Sequence, residues 1–411
     1  MKQLGVLWLV VLISLMGFGV TTIPFPLVTE QMGASDFWKT FGGPGVFSVF
    51  QLLATPLWGR YSDSLGRKPI LIASLAGSVL AYVWLAYAND LVSLLVARAF
   101  GGIMSGNLAA TYAYATDVTD VKNRARGLGI VASAFGVGFA IGPPLGGWLG
   151  TDALGQPSLH GPALASAALS ALALLATWFL LPESLPPGQR KPLRAAAGAP
   201  GRRASPFAVL RGQTVLVGLM VAALAVAVGG ASMQSIYQFW GRDLFGFSLM
   251  LMSVHFMAFA IFSILGQVLL IGPLVRSLGE KRVALLAAAL VVLSLVMFAA
   301  LNQAWMVWVT IALFGLANGL FLPAVSSLVS FETTPQNRGA VMGAFNSASS
   351  AGRIIGPGLS GPLYFGFGAA APFLFAALLT LLGGALLSRA NAKPVAAAAA
   401  SVAPGQPPPE P

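Results

Sequence analysis

The chain has 411 residues, 57% hydrophobic and only 9% charged, with a net charge of +11 and no cysteine. Its mean hydropathy is +0.82. A soluble protein of this length needs a charged shell that this composition cannot supply, so its surface is suited to lipid. The lack of cysteine excludes disulfides, thiolate catalysis and zinc–sulfur sites.

A membrane-crossing helix needs about 20 predominantly apolar residues. Twelve runs qualify, near 5–28, 38–58, 69–88, 91–114, 127–150, 161–181, 213–234, 248–273, 283–301, 304–328, 339–364 and 370–388. The first is too long for a signal-peptide core and lacks an Ala-x-Ala cleavage site, so it reads as a span. It holds Phe18 and Phe25, and the second run holds Phe47 and Phe50; packing in the core or against lipid suits these rings better than a substrate path. The turn after the second run reads Gly59-Arg60-Tyr61-Ser62-Asp63-Ser64-Leu65-Gly66-Arg67-Lys68-Pro69. Its glycines allow a tight reversal at the bilayer surface, and Pro69 suits the first turn of a helix.

The fourth run carries Arg98, a guanidinium costly at that depth unless it meets water or a partner, or snorkels to the headgroups. Asn107 lies in the same run and Asp117 at its end. In the fifth run, Gly138, Gly142 and Gly146 recur every four residues, so one helix face permits close backbone approach. Gly129 and Gly147 belong to the same string, and Pro143 removes a helical hydrogen bond and invites a bend.

Residues 183–212, rich in Pro, Gly, Ala and Arg, read as a linker between two halves, 1–182 and 213–390. The amides Gln234, Gln238 and Asn318 lie within later runs, where they face a cavity or bond neighbouring helices. His255 is an intramembrane histidine that either titrates or packs. Trp8, Trp240, Trp305 and Trp308 fall near run ends and read as interfacial anchors. In the eleventh run Arg353 has no matching charge in the first half; it binds an anionic group or pairs with Glu30 or Asp36. The Ala/Pro tract 391–411 reads as a disordered tail.

Lys and Arg set the orientation. With the N terminus inside, nineteen of the 23 lie in cytoplasmic turns, linker and tails, and only Lys39 and Arg242 lie outside. Both termini are then cytoplasmic. The positive charge is spread over short loops, which argues against a nucleic-acid patch. With no cysteine, only His160 and His255, no His-Glu-x-x-His and no Gly-x-Ser-x-Gly, an intramembrane enzyme is the least favoured reading. The string Gly129-x8-Gly138-x3-Gly142-Pro143 recurs 214 residues later as Gly343-x8-Gly352-x3-Gly356-Pro357, as a duplicated six-span unit requires.

The loop at 59–69 resembles the signature of the major facilitator superfamily, and the string from Gly129 to Gly147 resembles the antiporter signature of its drug exporters. Leu181-Pro182-Glu183-Ser184 and the turn Gly272–Arg282 look most like tetracycline-efflux proteins. The resemblance implies an all-α fold of twelve spans in two pseudo-symmetric bundles, working by alternating access in the inner membrane as a monomer without cofactor or metal. It implies that Gly59, Asp63, Gly66, Arg67, Lys68 and Asp117 form a latch between the halves, and that Arg98 is linked to proton transfer. The expected function is export of small amphipathic organic molecules by proton antiport, with His255 and Arg353 as further coupling candidates. An uptake symporter or facilitator, or a non-transporting membrane sensor or assembly protein, are the competing readings. One departure stands out: Ser14 occupies the place where tetracycline exporters carry an aspartate, ahead of Gly17-Phe18-Gly19. No acidic residue falls in the core of any run.

Overall fold

The computed structural model describes residues 2–120, 123–190, 213–333 and 338–389. Most of the expected linker and the tail lie outside these residues. The described chain is almost wholly helical; its one β-bridge pairs Thr151 with Pro157.

Ten helices among the described residues are long and apolar enough to cross a membrane. Pro44–Leu65 and Arg338–Phe367 supply the second and eleventh spans of the expected set. These two are less apolar because glycine, serine and proline make up much of their length.

Span boundaries depart from the sequence expectation where glycine and proline interrupt the helix. The first span breaks between Lys2–Thr22 and Phe25–Gln31, with Pro24 capping the second piece. Gly42, Gly43 and Pro44 separate the short helix Asp36–Phe41 from Pro44–Leu65. The seventh span runs from Thr214 to Phe245, well past the expected end at 234, and stops at Gly246 in the left-handed conformation. Trp240 is therefore 1% exposed inside an aromatic cluster with Phe298 and Phe373, not at the interface as expected. Trp305 and Trp308 are exposed.

The packing repeats itself between the halves. In the first, span 1 packs on spans 5 and 6, span 3 on spans 4 and 6, and span 2 on span 4. Adding six to every number gives the packing of the second half: 7 on 11 and 12, 9 on 10 and 12, 8 on 10. The contacts between halves follow the same rule, span 5 on span 8 and span 11 on span 2. This is the pseudo-symmetry of a duplicated bundle.

The glycine strings make that packing possible. A Cβ on Gly142 would lie 2.9 Å from Gly19 Cα and Met16 O of span 1. One on Gly356 would lie 2.7 Å from Val228 O of span 7. Such approach places backbone against backbone, which only glycine permits. The last glycine of each string faces the other half instead: Gly147 abuts Ser253 and Leu249 of span 8, and Gly361 abuts Asp36 and Thr40 of span 2.

Candidate functional site

The face carrying the start of the first span and the end of the last is termed the terminal face, and the other the opposite face. Between described residues of the two halves, the hydrogen bonds and ion pairs lie at the opposite face. Thr40 Oγ1 donates to Pro357 O at 2.7 Å. Arg242 pairs with Glu30 through Nη1, with Nη2 3.4 Å from Oε1. Asp243 accepts from Arg242 Nε at 2.8 Å and from Tyr364 Oη at 3.0 Å. Lys39 pairs with Asp36 at 3.0 Å and lies 4.1 Å from the Phe365 ring centroid. The described residues thus join the two halves at this face, and a hollow lies further in.

That hollow has a volume of about 300 Å3. Its walls come from spans 1 to 6, including Phe18, Phe47, Phe139, Leu71 and Leu75, with hydroxyl and amide groups from Ser14, Ser48, Gln51, Asn107 and Thr111. Arg353 of span 11 is the one second-half residue in this lining. Phe18 and Phe47 thus border the cavity, whereas Phe25 is buried. Ser14 lies in the wall, so the position at which the sequence resemblance leads one to expect an aspartate opens onto the cavity without a charge.

A break in span 4 shapes the cavity. Leu91–Met104 and Leu108–Asp117 are joined by a tighter turn over Ser105–Asn107. Backbone carbonyls freed in lipid need partners, and side chains from spans 2 and 3 supply them. Trp58 Nε1 donates to Ile103 O at 2.5 Å, Ser74 Oγ to Met104 O at 2.7 Å, and Gln51 Nε2 to Ser105 O at 3.2 Å. Asn107, at the end of the turn, donates to Ser74 Oγ at 2.5 Å.

The other amides expected in a substrate cavity are placed elsewhere. Gln234, Gln238 and Asn318 are not in this lining; Asn318 donates to Phe314 O at 2.8 Å within its own helix. Gln238 is fully buried with neither amide atom bonded.

Arg98 is 4% exposed, so it does not snorkel. It donates to Thr21 Oγ1 at 2.9 Å and sits 4.6 Å from the Phe25 ring centroid. His255 lies away from the cavity, its Nδ1 2.6 Å from Tyr237 Oη and its ring against Phe247 and Trp308. Arg353 does not pair with Glu30 or Asp36, which are engaged by Arg242 and Lys39; its Nη2 donates to Ser350 Oγ at 2.7 Å.

The charged cluster at the terminal face is compact. Arg67 Nη1 donates to Asp63 Oδ1 at 2.6 Å and to Ser62 Oγ at 2.7 Å, while Nε donates to Asp117 Oδ2 at 3.0 Å. All of these belong to the first half, so among the described residues the cluster ties spans 2, 3 and 4 together. Glu183, after span 6, completes the cluster by accepting from Arg67 N at 2.9 Å and Lys68 N at 3.3 Å. A carboxylate suits this helix N-terminus, where unpaired N–H groups point outward. Gly66, with φ +110°, leaves the space; a Cβ there would meet the Glu183 carboxylate. Gly59 packs near Ala109. Lys68 Nζ caps the end of span 6 by donating to Trp178 O at 2.7 Å, as Lys281 Nζ donates to Ser388 O at 2.9 Å in the second half.

Sequence reasoning missed Glu183 as a cluster member and the Glu30–Arg242 clasp. Signals existed for both. Glu183 stands directly after an apolar run, and Lys39 and Arg242 were the two exceptions to the charge asymmetry.

Paired six-helix bundles, closed at one end around an internal cavity, define a membrane carrier. The chain belongs to the Major Facilitator Superfamily, whose family model matches residues 7–271 and 244–409. It is 30% identical over 378 residues to the class C tetracycline resistance protein of Escherichia coli, covering 92% of each chain. It is 26% identical to the multidrug resistance protein MdtG of Proteus mirabilis, again covering 92% of both. Among solved structures, the human organic anion transporter MFSD10 (TETRAN) superposes with a TM-score of 0.70 at 25% identity, covering 94% of this chain and 99% of that one.

Proposed function

We propose that this transporter exports small amphipathic organic molecules across the inner membrane by proton antiport, with the terminal face cytoplasmic. The observation that carries the reading is the joining of the halves at the opposite face around a cavity with apolar walls. That arrangement suits loading from the cytoplasm, and a pocket of aromatic and aliphatic side chains with a few amides suits partly apolar cargo. Relatives named for tetracycline resistance, multidrug resistance and organic anion transport support small organic cargo. The halves correspond to residues 1–182 and 213–390, joined by 183–212 and followed by the tail 391–411. The cluster of Gly59, Asp63, Gly66, Arg67, Lys68 and Asp117 acts as a conformational latch by holding spans 2, 3 and 4 as one moving block.

Proton coupling is assigned to Glu30 and Asp243 at the clasp rather than to His255. No carboxylate lines the cavity, and His255 is packed among aromatic rings away from it. Glu30 pairs with Arg242 across the seam, so its surroundings change when the halves part. The chain therefore acts as a monomer, each copy holding its own gate and cavity.

The test is flux in proteoliposomes with an imposed pH gradient, using tetracycline and a panel of amphipathic dyes. Extrusion should accelerate with the gradient, and collapsing it with a protonophore should slow extrusion to the passive rate. Glu30→Gln should leave cargo exchange intact while removing the dependence on pH. Flux indifferent to the gradient in the unaltered protein would end the antiport reading. Net accumulation on the cytoplasmic side would replace export with uptake.

A further inference from the structure

The cavity contains a cation without an anion. Arg353 lines it, and the lining includes no aspartate or glutamate. A guanidinium has five N–H donors and stays charged at physiological pH. Its Nη2 donates to Ser350 Oγ, on the same helix. The acids at the opposite face are already matched: Glu30 by Arg242, Asp36 by Lys39. The guanidinium is exposed on the cavity wall, so an anion entering the cavity can reach its free N–H groups. The same cavity is lined by Phe18, Phe47, Phe139 and Leu75, which suit an apolar body.

We propose that the cargo is an amphipathic organic monoanion whose carboxylate or sulfonate sits on Arg353 while its aromatic or aliphatic body fills the first-half pocket. The inference rests on the cavity being the site of the transported molecule. Its consequence is a division of labour. The apolar body binds one half only, and the anionic group engages the other, so an anion spans both halves and a neutral analogue does not. Binding that differs between conformational states is what drives a change of state. Anionic cargo therefore favours closure around itself, whereas a neutral molecule of the same shape occupies the pocket without drawing in span 11. Cations are disfavoured by the same guanidinium.

The test uses two fluorescent probes with one aromatic framework. These are 8-anilinonaphthalene-1-sulfonate, an anion, and N-phenyl-1-naphthylamine, which lacks the sulfonate. Equilibrium binding is measured on the full chain in phosphatidylcholine nanodiscs, with empty discs subtracted, for the unaltered protein, Arg353→Gln and Arg353→Lys. Arg353→Gln should weaken sulfonate binding by about tenfold or more, the scale of a lost charge-assisted hydrogen bond. It should leave the neutral probe within about twofold, which also shows that the pocket is still folded. Arg353→Lys should recover part of the loss, and in proteoliposomes the neutral probe should inhibit sulfonate flux. Equal weakening of both probes, or no weakening of the sulfonate, overturns the assignment. Unaltered protein that binds the neutral probe but not the sulfonate, or neither, overturns it too. A failure of the export reading shows separately, as absence of flux in the gradient assay despite the expected binding pattern.

Discussion

Replacing Arg242 with alanine cuts the ion pair that ties spans 1 and 7 at the opposite face. The side chains of Arg242 and Glu30 are 41% and 28% exposed, so solvent screens much of the attraction. Exposed pairs are worth roughly 0.2–1 kcal/mol. The second contact, Nη2 to Oε1 at 3.4 Å, is too long to add a full hydrogen bond. The hydrogen bond from Tyr364 to Asp243 survives, but both lie in the second half and do not bias the gate. The clasp is therefore worth at most about 1 kcal/mol. Since ~1.4 kcal/mol is a tenfold change in an equilibrium, the ratio of protein open at the opposite face to protein closed there should rise by up to about fivefold. The chain has no cysteine of its own, so spin labels on Asn89→Cys and Gln303→Cys, exposed turns of opposite halves, report the gate directly. Pulsed dipolar distance measurements in nanodiscs should show the longer-distance population growing by that factor with Arg242→Ala. An unchanged distribution, or a shift toward shorter distances, would refute the argument.

Three further outcomes are expected. Gly142→Ala sets a Cβ 2.9 Å from span 1 backbone and should cost about 1–3 kcal/mol of stability, whereas Gly129→Ala, with open space around it, should melt like the unaltered protein; differential scanning fluorimetry of the purified chain compares them. Gly147→Ala crowds Leu249 O, 2.9 Å away across the seam between halves. The same spin-label pair should then show the opposite face opening, with little change in melting temperature. Glu183→Ala leaves the N-terminal N–H groups of span 3 without their acceptor and should lower stability by about 1–2 kcal/mol. Binding of probes in the cavity should be unaffected, and a melting curve beside a binding titration checks both.

The spans were legible because lipid imposes a simple demand for length and apolarity, and the duplication was legible because close helix approach leaves glycines at fixed spacing. Span ends were not. Trp240 reads as an anchor from its place near a run end, but the helix continues to Phe245 and buries it. The terminal-face cluster was readable in its residues and not in its reach: Asp63, Arg67 and Asp117 find one another inside a single bundle, and nothing in their spacing says which half an arginine will face. The cavity was the least legible part. Asn107 and Asn318 occupy corresponding runs, yet only the break at Ser105–Asn107 turns its amide toward the hollow, while Asn318 bonds its own helix. Side-chain direction near a break depends on which carbonyls neighbouring helices can cap, and that information is spread over Trp58, Ser74 and Gln51 in two other spans.

The fifth span carries two kinds of glycine a few residues apart, and they answer to different demands. Gly138 and Gly142 belong to a permanent joint that must never loosen, while Gly147 belongs to a surface that has to part and meet again in every cycle. A substitution at either place would silence the carrier, yet one does so by spoiling the parts and the other by jamming the motion. Loss-of-function surveys alone would score them alike; only pairing heat tolerance with gate position separates the hinge pin from the door.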